Sequence, residues 1–322
     1  MFGLSPKDRV QKIGFLLLPQ FSMIAFTASI EPLRSANRMS RQTLYKWQTL
    51  SLDGLPITAS NGVTITPDKA VRFAHECDVV FVCSGTRPQK YLSSTLQNEL
   101  RSLALRGKAL GAVCTGSFAL AYAGILTGYR CTIHWEDLET FKEVYPNLDI
   151  TATLFEIDRN RFTCSGGTAP LDMMIYSIKL DHGETLAHNV AEQMLHSFVR
   201  EPHDNQRMAI EHRTGIHHPK LLAAIGYMEA FSENPMSLEK LAETVGVSLR
   251  QLERLFKTEM KTTPAQYYMS IRLQRARQFL RRTTLSVLEV GIAAGFNSPS
   301  HFTQTYKKRF GHTPSEERKT SV

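Results

Sequence analysis

The sequence predicts a chain of two unlike parts, an α/β domain on a mainly parallel sheet followed by an all-helical domain. Three observations lead there. Through the first 200 residues or so, short apolar runs alternate with amphipathic helical patterns, the order that gives a parallel sheet with helices on its faces. Beyond Pro219 strand signals stop and helical periodicity continues to the end. Positive charge is also unevenly placed: residues 215–322 hold 16 Lys+Arg and 9 Asp+Glu, against 22 and 21 in residues 1–214, so +7 of the net +8 lies in the last third. Such asymmetry points to a polyanionic partner for the helical part, nucleic acid first.

In the first part, buried strands are expected at 13–18, 79–83, 110–113 and 162–164. Helices are expected at 23–39, 89–106, 117–123, 135–145 and 171–200, the last in one or two pieces. Gly54-Leu55-Pro56 and Ser60-Asn61-Gly62 are turn sequences that mark a small hairpin. The run at 13–18 follows basic residues, as a signal peptide's apolar segment would, but Pro19-Gln20 interrupts it after six residues, so it reads as a first strand. No stretch approaches the ~20 apolar residues of a membrane helix, so no membrane partner is expected. Five cysteines, an odd number at irregular spacing, fit reduced thiols in a cytoplasmic protein. No CxxC pair or His/Cys cluster suggests a metal, and no cofactor is expected. The polar, Pro-containing stretch 201–218 reads as a linker between domains at 10–200 and 219–320.

In the second part, Ser237 is placed to cap a short helix whose apolar face is Leu241, Ala242 and Val245. Gly246 stands where a tight turn needs a positive φ. Ser248 then caps a second helix that buries Leu252, Leu255 and Phe256 and exposes Arg250, Gln251, Glu253, Arg254 and Lys257. These are the parts of a helix-turn-helix. The pattern returns about 50 residues later. Val287, Val290, Ile292 and Ala293 form the first helix, Ala294-Gly295 the turn, and Ser298-Pro299 the start of the second, where Pro at N1 loses nothing. Phe302, Tyr306 and Phe310 form its buried stripe, leaving Ser300, His301, Thr303, Gln304, Lys307 and Lys308 outside. One long helix over 264–283, carrying Arg272, Arg275, Arg277, Arg281 and Arg282, joins the two units.

The run Gly246-Val247-Ser248…Gln251-Leu252-Glu253-Arg254-Leu255-Phe256-Lys257, with Thr263-Pro264, Arg272-Leu273, Ala276-Arg277, Gly295-Phe296, Ser300-His301-Phe302, Phe310-Gly311 and Thr313-Pro314-Ser315, closely resembles the AraC/XylS-type DNA-binding domain. The resemblance implies two recognition helices laid into successive major grooves of double-stranded DNA. Arg250 and Arg254, one turn apart, are suited to guanine O6 and N7, and Gln304, beside Ser300 and Thr303, to adenine. Lys257, Lys307, Lys308 and Arg272 suit phosphates, which position without specifying. Gln251 and His301 complete the expected DNA face.

In the first part, an apolar strand runs through Val113 into Cys114-Thr115-Gly116 and directly into a helix, the layout of a nucleophile elbow. A helix dipole there would lower a thiol pKa and favour an anion. With Ile30-Glu31-Pro32, Ser84-Gly85-Thr86, Thr132-Ile133-His134-Trp135-Glu136 and Cys164-Ser165-Gly166-Gly167-Thr168, the segment resembles the PfpI-like branch of the class I glutamine amidotransferase-like superfamily, whose fold is a flavodoxin-like parallel-sheet sandwich. The domain order resembles the GlxA-type regulators of the AraC family. That subfamily implies a homodimer that works with RNA polymerase and senses amines, amino acids and methylated ammonium compounds such as arginine, carnitine and glycine betaine.

Hydrolytic relatives carry His directly after the elbow Cys, where this chain has Thr115. The expected role is therefore a sensor pocket rather than an enzyme, lined by Glu31, Gly85, Thr86, Cys114, Thr115, His134, Trp135 and Thr168. Main-chain N–H groups at the elbow would hold a carboxylate, and Trp135 a cationic amine. Three rival readings stand beside it: a cysteine hydrolase or amidase with a regulatory appendage, a front domain that only dimerises, and a redox sensor using Cys114.

Overall fold

The computed structural model describes residues 9–206 and 210–321. The chain divides into two compact units, 1–206 and 207–322. The first runs β1 (Gln11–Leu17), α1 (Met23–Ser40), β2 (Tyr45–Ser51), β3 (Ile57–Thr58), β4 (Thr64–Ile65), β5 (Lys69–Ala70), β6 (Val79–Cys83), α2 (Ser94–Leu105), β7 (Ala109–Val113), α3 (Ser117–Tyr122), β8 (Arg130–Cys131), α4 (Leu138–Val144), β9 (Asp149–Ile150), β10 (Phe155–Asp158), β11 (Arg161–Cys164), α5 (Ala169–His182) and α6 (Glu184–Gln193). Seven strands form the main sheet in the order β10-β11-β7-β6-β1-β2-β5. Every neighbouring pair is parallel except β10 with β11.

The four expected strands are present, and the turn signals at Gly54 and Gly62 enclose the β3–β4 hairpin. β2, β5 and β10 carry no comparable apolar run: β2 alternates Lys46, Gln48 and Ser51 with its hydrophobic residues, and β5 is only two residues long. The central strands are apolar throughout because both faces are covered. One face packs Phe15, Phe81, Phe155 and Phe162 against α1, α5 and α6. The other packs Leu16, Val80, Val82 and Leu110 against Leu96, Leu100, Phe118 and Phe141 of α2, α3 and α4.

The second unit contains α7 (Ile210–Thr214), α8 (Pro219–Ala230), α9 (Leu238–Val245), α10 (Leu249–Met260), α11 (Pro264–Arg282), α12 (Val287–Ala293), α13 (Pro299–Phe310) and α14 (Pro314–Ser321). It has two cores joined by α11. Leu221, Ile225, Leu241, Leu252 and Phe256 close the first around α8, α9 and α10. Ala276, Phe279, Val290, Phe302 and Tyr306 close the second around α12 and α13. Each helix pair thus has its own apolar support, while one continuous helix fixes their separation.

The stretch expected as a linker is shared between the units. The Leu154 N–H donates to the Pro202 and Asp204 carbonyls, so 201–206 runs beside β10 as part of the first unit. Ile216, 4% exposed, belongs to the first core of the second unit. Residues 207–209 of that stretch lie outside the described residues. The helix expected to reach residue 200 stops at Gln193, after which Leu195 takes a left-handed φ of 54°.

A buried-elbow pocket and a two-part DNA face

The second unit presents the DNA face. Gly246 and Gly295 have φ of 71° and 77°, as the two turns require. At Gly295 a Cβ would also lie 2.7 Å from the Glu233 carbonyl, so no other residue fits. The Ser237 and Ser298 side chains cap α9 and α13, and Ser248 forms a reciprocal capping box with Gln251 at the start of α10. Arg250, Arg254 and Lys257 are exposed on α10, at helical spacings that put them on one face. Glu289 accepts from the Ser286 N–H and closes the capping box of α12. On α13, Ser300, His301, Gln304, Lys307 and Lys308 are exposed and Thr303 is half-buried. Phe302 and Tyr306 face inward, and Phe310 is partly buried beside them. Ile292 is 61% exposed, because Val290, Gly291 and Ala293 supply the buried face of α12.

Two residues of the expected DNA face are engaged within the unit. The Arg272 Nε donates to the Ala294 carbonyl (3.0 Å) and its Nη2 to the Gly295 carbonyl (2.5 Å), with the guanidinium 4.4 Å from the Phe296 ring centroid. Burial pulls its pKa down. Arg272 therefore holds the second turn. Gln251 gives its amide oxygen to the Ser248 N–H at 2.8 Å, so that oxygen serves the helix cap.

The other arginines of α11 are also engaged internally. Arg275 reaches the Ser232 hydroxyl at 2.7 Å and the Glu233 carboxylate at 3.2 Å. Arg277 and Arg281 donate from Nε to Glu317 (3.1 and 2.5 Å). Glu317 is 3% exposed and also accepts from the Tyr306 hydroxyl (2.9 Å) and from His312. Burial alone would raise its pKa, but donation from His312, Arg281, Tyr306 and Arg277 outweighs it and brings the pKa down to about 2. The basic excess of the last third is thus partly structural, and the cation-rich DNA face narrows to α10 and α13.

In the first unit, the register aligns Cys83, Val113 and Cys164 across β6, β7 and β11, so the loops after these parallel strands leave the sheet at one end. Ligands in open α/β sheets bind outside the carboxyl ends of strands. Cys114 follows with φ 60°, the strained conformation of a nucleophile elbow, and is 8% exposed. The β11–α5 loop lies against it: a Cβ on Gly166 (φ 93°) would come within 2.7 Å of the Cys114 Cβ and 3.0 Å of its Sγ. The Thr115 hydroxyl, 3% exposed, donates to the Gly85 carbonyl at 2.7 Å and joins the elbow to the loop after β6. That loop is pinned in turn by the Thr86 N–H on the Gln20 carbonyl.

The structure therefore brings Gly85, Thr86, Cys114, Thr115 and Thr168 to one end of the sheet. Thr86 and Thr168 are exposed, and Thr115 faces structure rather than open space. His134 and Trp135 belong to the adjoining loop, which Thr132 ties down: its carbonyl accepts from Ser117 at the start of α3, and its N–H donates to Thr163 of β11. The two rings lie 5.7 Å apart, with Trp135 37% exposed. The Glu136 N–H donates to His134 Nδ1 at 3.3 Å. Glu31 is half-exposed on α1 and pairs with Arg34 at 2.7 Å. The elbow opens a 3-10 turn at Cys114–Gly116 that runs directly into the six-residue α3. Cys77, Cys83, Cys114, Cys131 and Cys164 are all buried and form no disulfide. Burial pushes the Cys83 and Cys164 thiols far up. Among the described residues no His/Cys/Asp/Glu group is arranged to hold a metal, and no helix is long and apolar enough to cross a membrane.

Sequence reasoning missed a buried charge cluster near this pocket. Asp172, 0% exposed, accepts from His196 Nε2 (2.8 Å) and from the Arg200 N–H (2.8 Å), Nε (3.0 Å) and Nη2 (2.6 Å). The available signal was an acidic residue on the otherwise apolar face of α5 (Met173, Met174, Ile175), which requires a partner.

Comparison with known proteins agrees with both units. Residues 11–180 match the DJ-1/PfpI family, and residues 241–320 match a helix-turn-helix domain family. The chain is 45% identical over 317 residues to the HTH-type transcriptional regulator GbdR of Pseudomonas aeruginosa, covering 98% of this chain and 86% of that one. It is 30% identical over 168 residues to an isonitrile hydratase of Pseudomonas putida, covering 51% of this chain and 69% of the hydratase. Among solved structures, an AraC family transcriptional regulator from Pseudomonas putida superposes with a TM-score of 0.53 at 31% identity, covering 57% of this chain and 99% of that one. With an elbow-bearing parallel sheet in front and two capped helix-turn-helix units behind, the chain belongs to the HTH-type transcriptional regulators of the AraC type that carry a DJ-1/PfpI domain.

Proposed function

We propose that this regulator is a cytoplasmic, homodimeric activator whose first unit binds a small amine, amino acid or quaternary-ammonium metabolite without turning it over, and whose second unit delivers RNA polymerase to the promoter. One observation carries the non-catalytic reading. The elbow thiol is buried, and the side chain beside it, Thr115, is a hydroxyl held by the Gly85 carbonyl where hydrolytic relatives have a histidine base. Gly85, Thr86, Cys114, His134, Trp135 and Thr168 are assigned to the effector site, with the half-exposed Trp135 assigned to a cationic headgroup. Glu31 is a more distant member. On DNA, Arg250 and Arg254 read guanine and Gln304 adenine, while Lys257, Lys307 and Lys308 hold phosphates and Ser300, His301 and Thr303 flank the base contacts. The effector works by differential affinity for two arrangements of the protein.

The test is transcription from a bound promoter across arginine, carnitine, glycine betaine and related amines, in wild type, Cys114→Ala and Arg254→Ala. A response to one compound that persists in Cys114→Ala and disappears in Arg254→Ala is expected. The strained φ of Cys114 favours a hydrolytic second reading. That reading predicts turnover of the effector that vanishes in Cys114→Ala, and such a result would replace the sensor reading.

A further inference from the structure

We infer that the segment 195–206, the last of the first unit before the DNA-binding unit, is the sensor's output arm, and that Arg200 and Gln206 are the positioning residues that hold it to the pocket loops. The inference rests on the reading that the effector occupies the elbow pocket.

The arm is gripped from two sides. On one, Arg200 binds the buried Asp172 on the first turn of α5, and its Nη2 also donates to the Thr168 hydroxyl at 2.8 Å. Thr168 ends the Gly166-Gly167 loop that lies on Cys114. On the other, Gln206 Nε2 donates to the Thr132 hydroxyl (2.9 Å), the Ile133 carbonyl (2.9 Å) and the Thr153 carbonyl (2.8 Å). His134 and Trp135 follow directly in the chain. Two of the loops that carry pocket residues therefore touch the arm through side chains of the arm itself.

The arm is also built to let go. Leu195 and Phe198 are 90% and 74% exposed, so these side chains add little apolar burial. Its outer side borders an open groove of about 520 Å³ lined by His188, Glu192, Leu195, His196, Ser197 and Val199, which leaves room for displacement. The grip is polar and partly buried, a kind of network that is strong when complete and costly when half-made. A shift of the Thr168 or Ile133 loop on ligand binding would therefore release or seat the arm as a unit instead of bending it gradually.

Linkage makes this testable without an effector. If the pocket loops bias DNA affinity through the arm, DNA must in turn bias the loop that covers Cys114. In the full-length protein, the rate of Cys114 alkylation by iodoacetamide is measured by peptide mass, with and without a saturating DNA duplex selected by the wild type from a random pool. Arg200→Lys keeps the charge beside Asp172 but loses the fork that bridges to Thr168, and Gln206→Ala removes the second grip without touching a buried charge. DNA should change the wild-type rate at least fivefold and the rate in either variant less than twofold, with DNA affinity without effector within threefold of wild type. An unchanged wild-type rate on adding DNA, or variants that keep the full DNA effect, overturns the inference. If Arg200→Lys fails to fold, Gln206→Ala decides alone. A negative metabolite panel with a positive DNA effect on Cys114 would instead reject the effector class while leaving the arm intact.

Discussion

Glu317→Gln should destabilise the DNA-binding unit and remove part of its acid sensitivity. In the wild type, one carboxylate that is 3% exposed collects Arg277, Arg281, Tyr306 and His312, which ties α14 to α11 and α13. Its pKa lies at about 2 instead of the usual 4.5. At about 1.4 kcal/mol per pH unit, that difference is worth about 3 kcal/mol of folding free energy at neutral pH. The Arg277 and Arg281 side chains are 30% and 47% exposed, so solvent already screens part of the attraction, and a loss of about 2 kcal/mol is the working figure. The sign follows from the lowered pKa: the contribution is fully present above pH 4.5 and disappears as pH falls toward 2. Both tryptophans, Trp47 and Trp135, lie in the first unit. Tryptophan fluorescence therefore follows that unit during urea unfolding, and far-ultraviolet ellipticity follows both. The variant should move only the transition seen by ellipticity alone, and that transition should fall less steeply than wild type between pH 4.5 and pH 3. A variant that unfolds like wild type at neutral pH and keeps the wild-type acid profile would refute the reasoning.

Three further outcomes are expected. Arg254→Ala should weaken binding to the selected site by about 1–3 kcal/mol and relax preference at one base pair, whereas Lys308→Ala should weaken all sequences alike and lower the salt slope by about 1, both read from binding isotherms at several salt concentrations. Arg272→Ala should lower the stability of the second unit by about 2 kcal/mol, because two turn carbonyls lose a charged donor, yet leave that salt slope unchanged; a reduced slope would restore Arg272 to the phosphate contacts. Gly166→Ala should destabilise the first unit and disturb effector response, since it combines a φ of 93° with a methyl 2.7 Å from the Cys114 Cβ; wild-type melting and response would show that the loop does not lie on the elbow.

Much was legible in the sequence because the signals were local. Central strands buried on both faces must be apolar throughout, so β6 and β7 announce themselves, as do Ser237, Gly246 and Ser248, whose caps and turn conformation are fixed within a few residues. The elbow at Cys114 was readable for the same reason: strand, tight turn and helix are contiguous. The outer strands β2, β5 and β10 were not, because β2 mixes polar residues with its apolar ones and β5 and β10 are only two and four residues long.

By itself, the sequence determined the two-part architecture, the paired helix-turn-helix units and the exposed cations of α10 and α13, since each depends on periodicity or on residues close in the chain. Only the tertiary structure decided which cations are engaged inside the unit. Arg272, Arg275, Arg277 and Arg281 resemble a basic helical face until distant carbonyls and carboxylates, 22 to 43 positions away, are found to engage them. The same holds for Asp172 and Arg200, 28 positions apart, whose pairing no local pattern announces. A charge reports its sign in the sequence, but its partner is set by the fold, because buried polar groups take whatever donors and acceptors packing brings within reach.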